Sequence, residues 1–282
     1  MAIKILVDSA SDIDVNEAKN LGIEMIPMEV TFGDEEYLDG VNLSHKEFFE
    51  KLIETNIFPK TSQINEYRFN EKFEEMTKDG SEVLCITMSS KLSGTFNSAK
   101  EASKKYNDKV VVIDSNNVCI GERILIFYAI RLLKQNISLK EIVDNIEEKK
   151  NKIQLVALLN TLKYLQKGGR ISMVKAFAGE LMSLKPVVSV IDGEVKLTGK
   201  AIGSKKGNNL LMQMIAQKAI DFDMPYVVGY SGLEDSLLKK YLEDSKSIWE
   251  EKAETIPSFS IGSTIGTHVG PGAIAFAYFS KD

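Results

Sequence analysis

The sequence predicts an α/β protein of two domains with a ligand cleft between them. Residues 1–152 are expected to form a mainly parallel α/β/α N-terminal domain, and residues 153–282 an α+β C-terminal domain with a mixed sheet. Three observations carry this expectation. Through the first half, short β-branched runs alternate with amphipathic segments, the pattern of a parallel sheet covered by helices. In the second half, "PVVSVIDGEVKLTGKA" is two alternating runs around Asp192-Gly193, a hairpin signal that requires antiparallel pairing. The chain has 282 residues, 44% of them hydrophobic and 27% charged, which suffices for a sizeable core.

Each element follows from its own pattern. "IKILVDS" reads as a buried strand, "VNEAKNLG" as a short helix and "EMIPMEV" as a second strand. "LSHKEFFEKLIETN" opens with a capping box, Ser44 with Glu47, and offers Phe48, Leu52 and Ile53 as an apolar face. "EVLCITM" and "KVVVIDS" are two further strands, and "SLKEIVDNIEEKK" carries a second capping box, Ser138 with Glu141. The division between the halves is expected near Asn151–Gln154. Beyond it, "MPYVVGYS", "AETIPSFS" and "GAIAFAYFS" read as strands, with helices at about 171–183, 206–221 and 233–245. In a doubly wound sheet ligands bind beyond the carboxyl ends of the strands, where Asp8-Ser9 and Ser89–Gly94 fall.

The totals exclude several classes. A formal net charge of −5 without a large basic block argues against nucleic-acid binding. "MAIKILVDSASD" lacks a basic n-region followed by a long apolar core, so no signal peptide is expected. No apolar run reaches about 18 residues, so no helix is expected to span a membrane. Cys85 sits inside an apolar run and Cys119 near a helix start, without metal-ligand spacing; a reducing cytoplasm is the simplest compartment.

Five stretches are dense in small or polar residues: "DSASD" (8–12), "TSQ" (61–63), "SSKLSGT" (89–95), "KGGRI" (167–171) and "GTHVGPG" (266–272). At 89–95 a strand hands over to a helix. Free N–H groups and the helix dipole favour an anion there, and Ser89, Ser90, Ser93 and Thr95 can donate to it. The same hydroxyls also suit an ordinary N-cap, and no P-loop lysine motif is present. His268 reads either as a turn residue in a Gly-Pro loop or as a hydrogen-bond donor or base. Arg170 can hold a carboxylate or phosphate, or be solvated at a helix start. Asp8 and Asp12 can bind a metal but more often cap a helix. His45, in an exposed first helical turn, has no assigned role. Ser93, His268 and Asp8 or Asp114 could supply a hydrolase, but Ser93 lies outside any G-x-S-x-G elbow.

"DSASD", "TSQ", "SSKLSGTFNSA", "LNTLKYLQKGGRIS" with "LKPVVSVIDGEV", and "GTHVGPGAIA" resemble, in order, the motifs of the DegV family, across essentially the whole chain. The resemblance implies two α/β domains with a long-chain fatty acid between them. It further implies a cofactor-free carrier subunit, not catalytic alone. Such a subunit presents the carboxylate to a separate ATP-using, dihydroxyacetone-kinase-like fatty acid kinase subunit that makes acyl phosphate. Carried over by motif, the carboxylate falls to Ser93, the amide of Gly94, Thr61 and His268, with Arg170 near the mouth or docking surface. The tail then requires an apolar tunnel, for which Phe96, Leu162, Leu165, Met173, Phe177, Leu181, Met182, Val188 and Phe259 are candidates. Two positions depart from the family pattern. Ile64 follows T-S-Q where proline is frequent, which predicts a small change in loop stiffness. Lys200-Ala201-Ile202 stands where K-x-R, associated with kinase docking, is frequent. The rival classes are an enzyme on a small phosphorylated or carbonyl substrate, with His268 as base or nucleophile, and an esterase using Ser93.

Overall fold

β1 (Ile3–Asp8) runs straight into the interior, with Leu6 and Val7 inaccessible to solvent. The computed structural model describes residues 2–55, 57–171, 184–249 and 255–281. After β1 come α1 (Val15–Leu21), β2 (Glu24–Ile26), β3 (Glu29–Phe32), β4 (Glu35–Leu38), α2 (His45–Glu54), β5 (Lys60–Ser62), α3 (Glu66–Thr77) and β6 (Glu82–Thr87). Then follow α4 (Thr95–Ser103), β7 (Val110–Asp114), α5 (Ile120–Leu133) and α6 (Leu139–Lys149). Strands β2-β1-β6-β7 form a wholly parallel sheet. Both capping boxes form, at Ser44–Glu47 and at Ser138–Glu141.

The second half holds β8 (Ile153–Leu158), α7 (Lys163–Lys167), β9 (Leu184–Ile191), β10 (Glu194–Ile202), α8 (Ser204–Ala216), β11 (Tyr226–Tyr230) and α9 (Ser236–Asp244). It closes with α10 (Lys246–Trp249), β12 (Ser258–Ser260), α11 (Ser263–Val269) and β13 (Ile274–Phe279). Its sheet has the order β10-β9-β8-β13-β11-β12, antiparallel except for the parallel β11–β12 edge. The hairpin turns at Asp192 (φ 53°) and Gly193 (φ 79°), two successive left-handed residues as a tight hairpin turn demands.

Several local expectations are corrected. "EMIPMEV" is not one strand: it breaks at Pro27, and β3 leaves the parallel sheet to join a small antiparallel one, β4-β3-β5. Proline lacks the amide that a continuing central strand would need. On α2 the buried face is Phe48, Phe49 and Leu52, while Ile53 is 56% exposed. Asp14, not Asp12, caps α1. α8 ends at Ala216, short of the expected 221. His268 belongs to helix α11, and the Gly-Pro turn begins only at Gly270.

α5 ties the two sheets together. It is apolar on nearly every side, as a helix buried all round must be. It packs against β1 of the parallel sheet and against β8, β11 and β13 of the mixed one. One continuous core therefore contains Ile5, Leu84 and Ile124 together with Leu155, Val227 and Ala277. Residues 172–183 carry one expected helix and the tunnel candidates Met173, Phe177, Leu181 and Met182; they lie outside the described residues.

Candidate functional site

Four elements deliver the motif residues to one place. β5 carries Thr61, the turn after β6 carries Ser93, the C-terminal end of α11 carries His268, and the turn after α7 carries Arg170. All four line one cavity of about 510 Å³, mouth included. Thr61 Oγ1 and His268 Nε2 lie 3.0 Å apart although 207 residues separate them in sequence. Ser93 Oγ is 2.9 Å from Thr95 Oγ1 and accepts from the Thr95 amide at 3.3 Å, so it also closes a tight turn just before α4, whose N-cap position is Gly94. Two glycines permit this crowding. A Cβ on Gly94 would overlap the Gln63 amide, and one on Gly168 would overlap His268 Nδ1. Ile64 does more than alter stiffness. It is fully buried, and its amide donates to Thr95 Oγ1 at 3.3 Å, a bond proline cannot make.

Burial, and secondarily the nearby Arg170 guanidinium, push the His268 pKa down to about 4, so the ring is neutral near pH 7. Its Nδ1 finds no partner among the described residues. Arg170 donates to the carbonyls of Leu92 (3.3 Å) and Gly168 (2.6 Å). It lines both the cavity and an outer groove with Lys91, Glu194 and Lys196. Ser93, His268 and the candidate acids Asp8 and Asp114 do not form a relay among the described residues. His268 faces Thr61 rather than Ser93, Asp8 accepts from the Met88 and Ala10 amides, and Asp114 accepts from the Ser90 and Asn116 amides.

A second cavity of about 530 Å³, mouth included, adjoins the first through Val118, Leu165, Val195, Ile265 and Val269. It runs on past Leu155, Ala157 and Ala275, against β8 and β13. Of the tunnel candidates, Leu165 lines both cavities and Val188 the second. Leu162 is buried in the same cluster behind them. Phe96 packs against the large core, and Phe259 lies under the Arg123 guanidinium, 3.9 Å from its ring centre; neither lines either of these two cavities. Met28, Met88, Ile265 and Val269 are lining residues that pattern reading missed. Ile265 and Val269 had a usable signal, since they share a helix face one turn apart.

An acidic layer stands behind the site. Asp39 accepts from the Ser263 amide (2.9 Å), the Ser263 hydroxyl (2.5 Å) and the Thr264 amide (3.2 Å), and Asp12 accepts from the Gly262 amide (2.8 Å). Two carboxylates of the first half thus hold the start of the helix that carries His268. His45, expected to be exposed, is half-buried, and a Cβ on Gly262 would touch it. Burial raises Asp8 to about 7 and Asp12 to about 6, and raises Glu122 well above the carboxylate range. Among the described residues no three acidic, histidine or cysteine groups converge as a metal site, and no helix is long and apolar enough to cross a membrane.

The chain matches the model of the DegV family, described as uncharacterised, over residues 2–281. It is 34% identical to a DegV domain-containing protein of Clostridium perfringens, across 96% of this chain and 95% of that one. It is 32% identical to one of Staphylococcus aureus, across 98% of each. Among solved structures it resembles a fatty-acid-binding DegV family protein of Thermus thermophilus, with TM-score 0.86, 28% identity and 99% of this chain and 100% of that one covered. It also resembles DegV, a fatty acid binding protein of Bacillus subtilis, with TM-score 0.83, 27% identity and both chains covered in full.

Proposed function

As this chain belongs to the DegV family, we propose that it binds a long-chain fatty acid in the cleft between its domains, which we divide as 1–152 and 153–282. The observation that carries the reading is the pair of adjoining cavities. One is headed by Thr61, Ser93, Arg170 and His268; the other is lined almost wholly by apolar side chains. That polarity gradient fits a carboxylate with a hydrocarbon tail. Burial of the tail contributes roughly 0.8 kcal/mol per CH₂. A desolvated carboxylate is costly unless donors meet it. Neutral His268 with its proton on Nε2 donates to Thr61 Oγ1, which frees the Thr61 O–H to donate to the ligand. The Ser93 hydroxyl and the Gly94 amide add two donors, and Arg170 supplies positive charge at the mouth. The structures of relatives described as fatty-acid-binding support the same reading.

We assign no catalytic step to the chain alone and no cofactor, and place it in the cytoplasm. Its service is to present the carboxylate to a separate ATP-dependent, dihydroxyacetone-kinase-like subunit that forms acyl phosphate. Arg170, which lines both the head cavity and the outer groove, marks the docking face. Ile202, 57% exposed at the far end of β10, stands where the family frequently has arginine and leaves that end of the hairpin less basic. Two experiments test this. Denaturing extraction and mass spectrometry of purified protein should find a long-chain acid at about one per chain. Protein that is lipid-free and also refuses added long-chain acids sinks the reading. Lipid-loaded chain with ATP and Mg²⁺ should yield acyl phosphate only when a kinase subunit is added; product from the chain alone overturns the carrier assignment.

A further inference from the structure

Thr264 sits on α11 one turn before His268, so the two side chains share the helix face that lines the head cavity. The residue is 2% exposed. Its amide is held by Asp39, but its Oγ1 is buried with no hydrogen-bond partner among the described residues. As the second residue of α11, Thr264 has no helical carbonyl one turn back to which its hydroxyl could return. The apolar part of the same cavity wall includes Met28, Met88, Val118 and Ile265. An uncommitted hydroxyl therefore stands on the wall of the head cavity, about 5–6 Å along the helix face from the head-group histidine. An alkyl chain leaves that hydroxyl unsatisfied, whereas an oxygen on the first carbons of the tail satisfies it.

Resting on the fatty-acid reading, we propose that the site prefers long-chain acids of the 3-hydroxy class, whose hydroxyl exchanges a hydrogen bond with Thr264 Oγ1. Asp39 fixes the position of Thr264 through the backbone, so the hydroxyl is presented from a set place rather than from a mobile loop. A single polar group on one wall also implies a preference for one enantiomer.

The test uses delipidated full-length chain, titrated with hexadecanoic acid and with each enantiomer of 3-hydroxyhexadecanoic acid. The affinity ratio of hydroxy to plain acid is compared between the wild type and Thr264→Val. That comparison cancels the hydration of the ligand hydroxyl itself. The ratio is expected to be roughly fivefold higher in the wild type for one enantiomer, the equivalent of one net hydrogen bond. Thr264→Ser should retain it and provides the folded alternative if the valine variant does not fold. Equal ratios in wild type and Thr264→Val, or a ratio lost equally in Thr264→Ser, overturn the inference and leave fatty-acid binding standing. If neither acid binds the wild type, the fatty-acid reading falls and takes this inference with it.

Discussion

Ser93 does two jobs with one hydroxyl: it accepts from the Thr95 amide in the turn that leads into α4, and it lines the head cavity. Ser93→Ala should therefore weaken fatty-acid binding by roughly 1.5–3 kcal/mol, the worth of a hydrogen bond to a charged group, measured by competition titration. Thr61→Ala should cost a similar amount or less, and unchanged affinity in both would put the carboxylate elsewhere. The buried acids set the pH response. Asp8 holds its proton up to about 7 in the folded chain because burial outweighs its two backbone donors, against 3.8 as the ordinary value. Between those values the folded state binds the extra proton, so Asp8 makes stability fall as pH rises. Asp12 acts in the same direction between 3.8 and about 6. His268, lowered from 6.5 to about 4, acts in the opposite sense in that range. Denaturant melts at pH 4.5 to 6.5 should show Asp8→Asn losing a downward slope of up to one proton, about 1.4 kcal/mol per pH unit. Parallel curves for variant and wild type would refute the assignment.

At the scale of elements, the site depends on α11 and on the β9–β10 hairpin being seated by the first half of the chain. Asp39 receives two amides and a hydroxyl from the start of α11. Asp39→Ala should lower stability by roughly 3 kcal/mol, since those buried donors lose a charged acceptor. It should also weaken acid binding, because α11 carries His268. A variant with native stability would mean that α11 is held by other contacts. The hairpin is anchored where Ser89 Oγ donates to the Gly193 carbonyl at 2.8 Å. Gly193 has φ 79°, and a Cβ there would lie 2.5 Å from Ser89 Oγ. Gly193→Ala is expected to cost roughly 1–3 kcal/mol, and combining it with Ser89→Ala should cost less than the sum. Strict additivity in that denaturation cycle would show that the turn and the Ser89 loop are energetically separate.

For the whole molecule, α5 makes one cooperative unit of the two sheets, since its side chains belong to a core that both share. The two cavities adjoin that core, so a ligand that fills them should stabilise the entire fold. Free long-chain acid at about 100 times its Kd should add roughly 2.7 kcal/mol, read as a rise in Tm of roughly 4–5 °C over delipidated protein. The transition should stay single, because both sheets share α5. Two resolved transitions, with only one moved by lipid, would contradict a shared core.

The sequence by itself determined what is local. Its β-branched runs gave β1, β6 and β7, two Ser-x-x-Glu boxes started α2 and α6, and Asp192-Gly193 turned the hairpin, because each depends on neighbours within a few residues. Its ordered motifs also pointed to Thr61, Ser93, Arg170 and His268, although the chemistry of those residue types alone left a cap, a turn or a hydrolase open. Tertiary structure decided what long-range packing decides. It set the meeting of Thr61 with His268 across 207 residues. It broke "EMIPMEV" into strands of two different sheets. It chose Leu165 and Val188 for the cavity wall while Phe96 and Phe259 went to the core. Apolar periodicity says that a side chain turns inward but not whether a cavity or another side chain meets it there, and only the packing of elements distant in sequence supplies that answer.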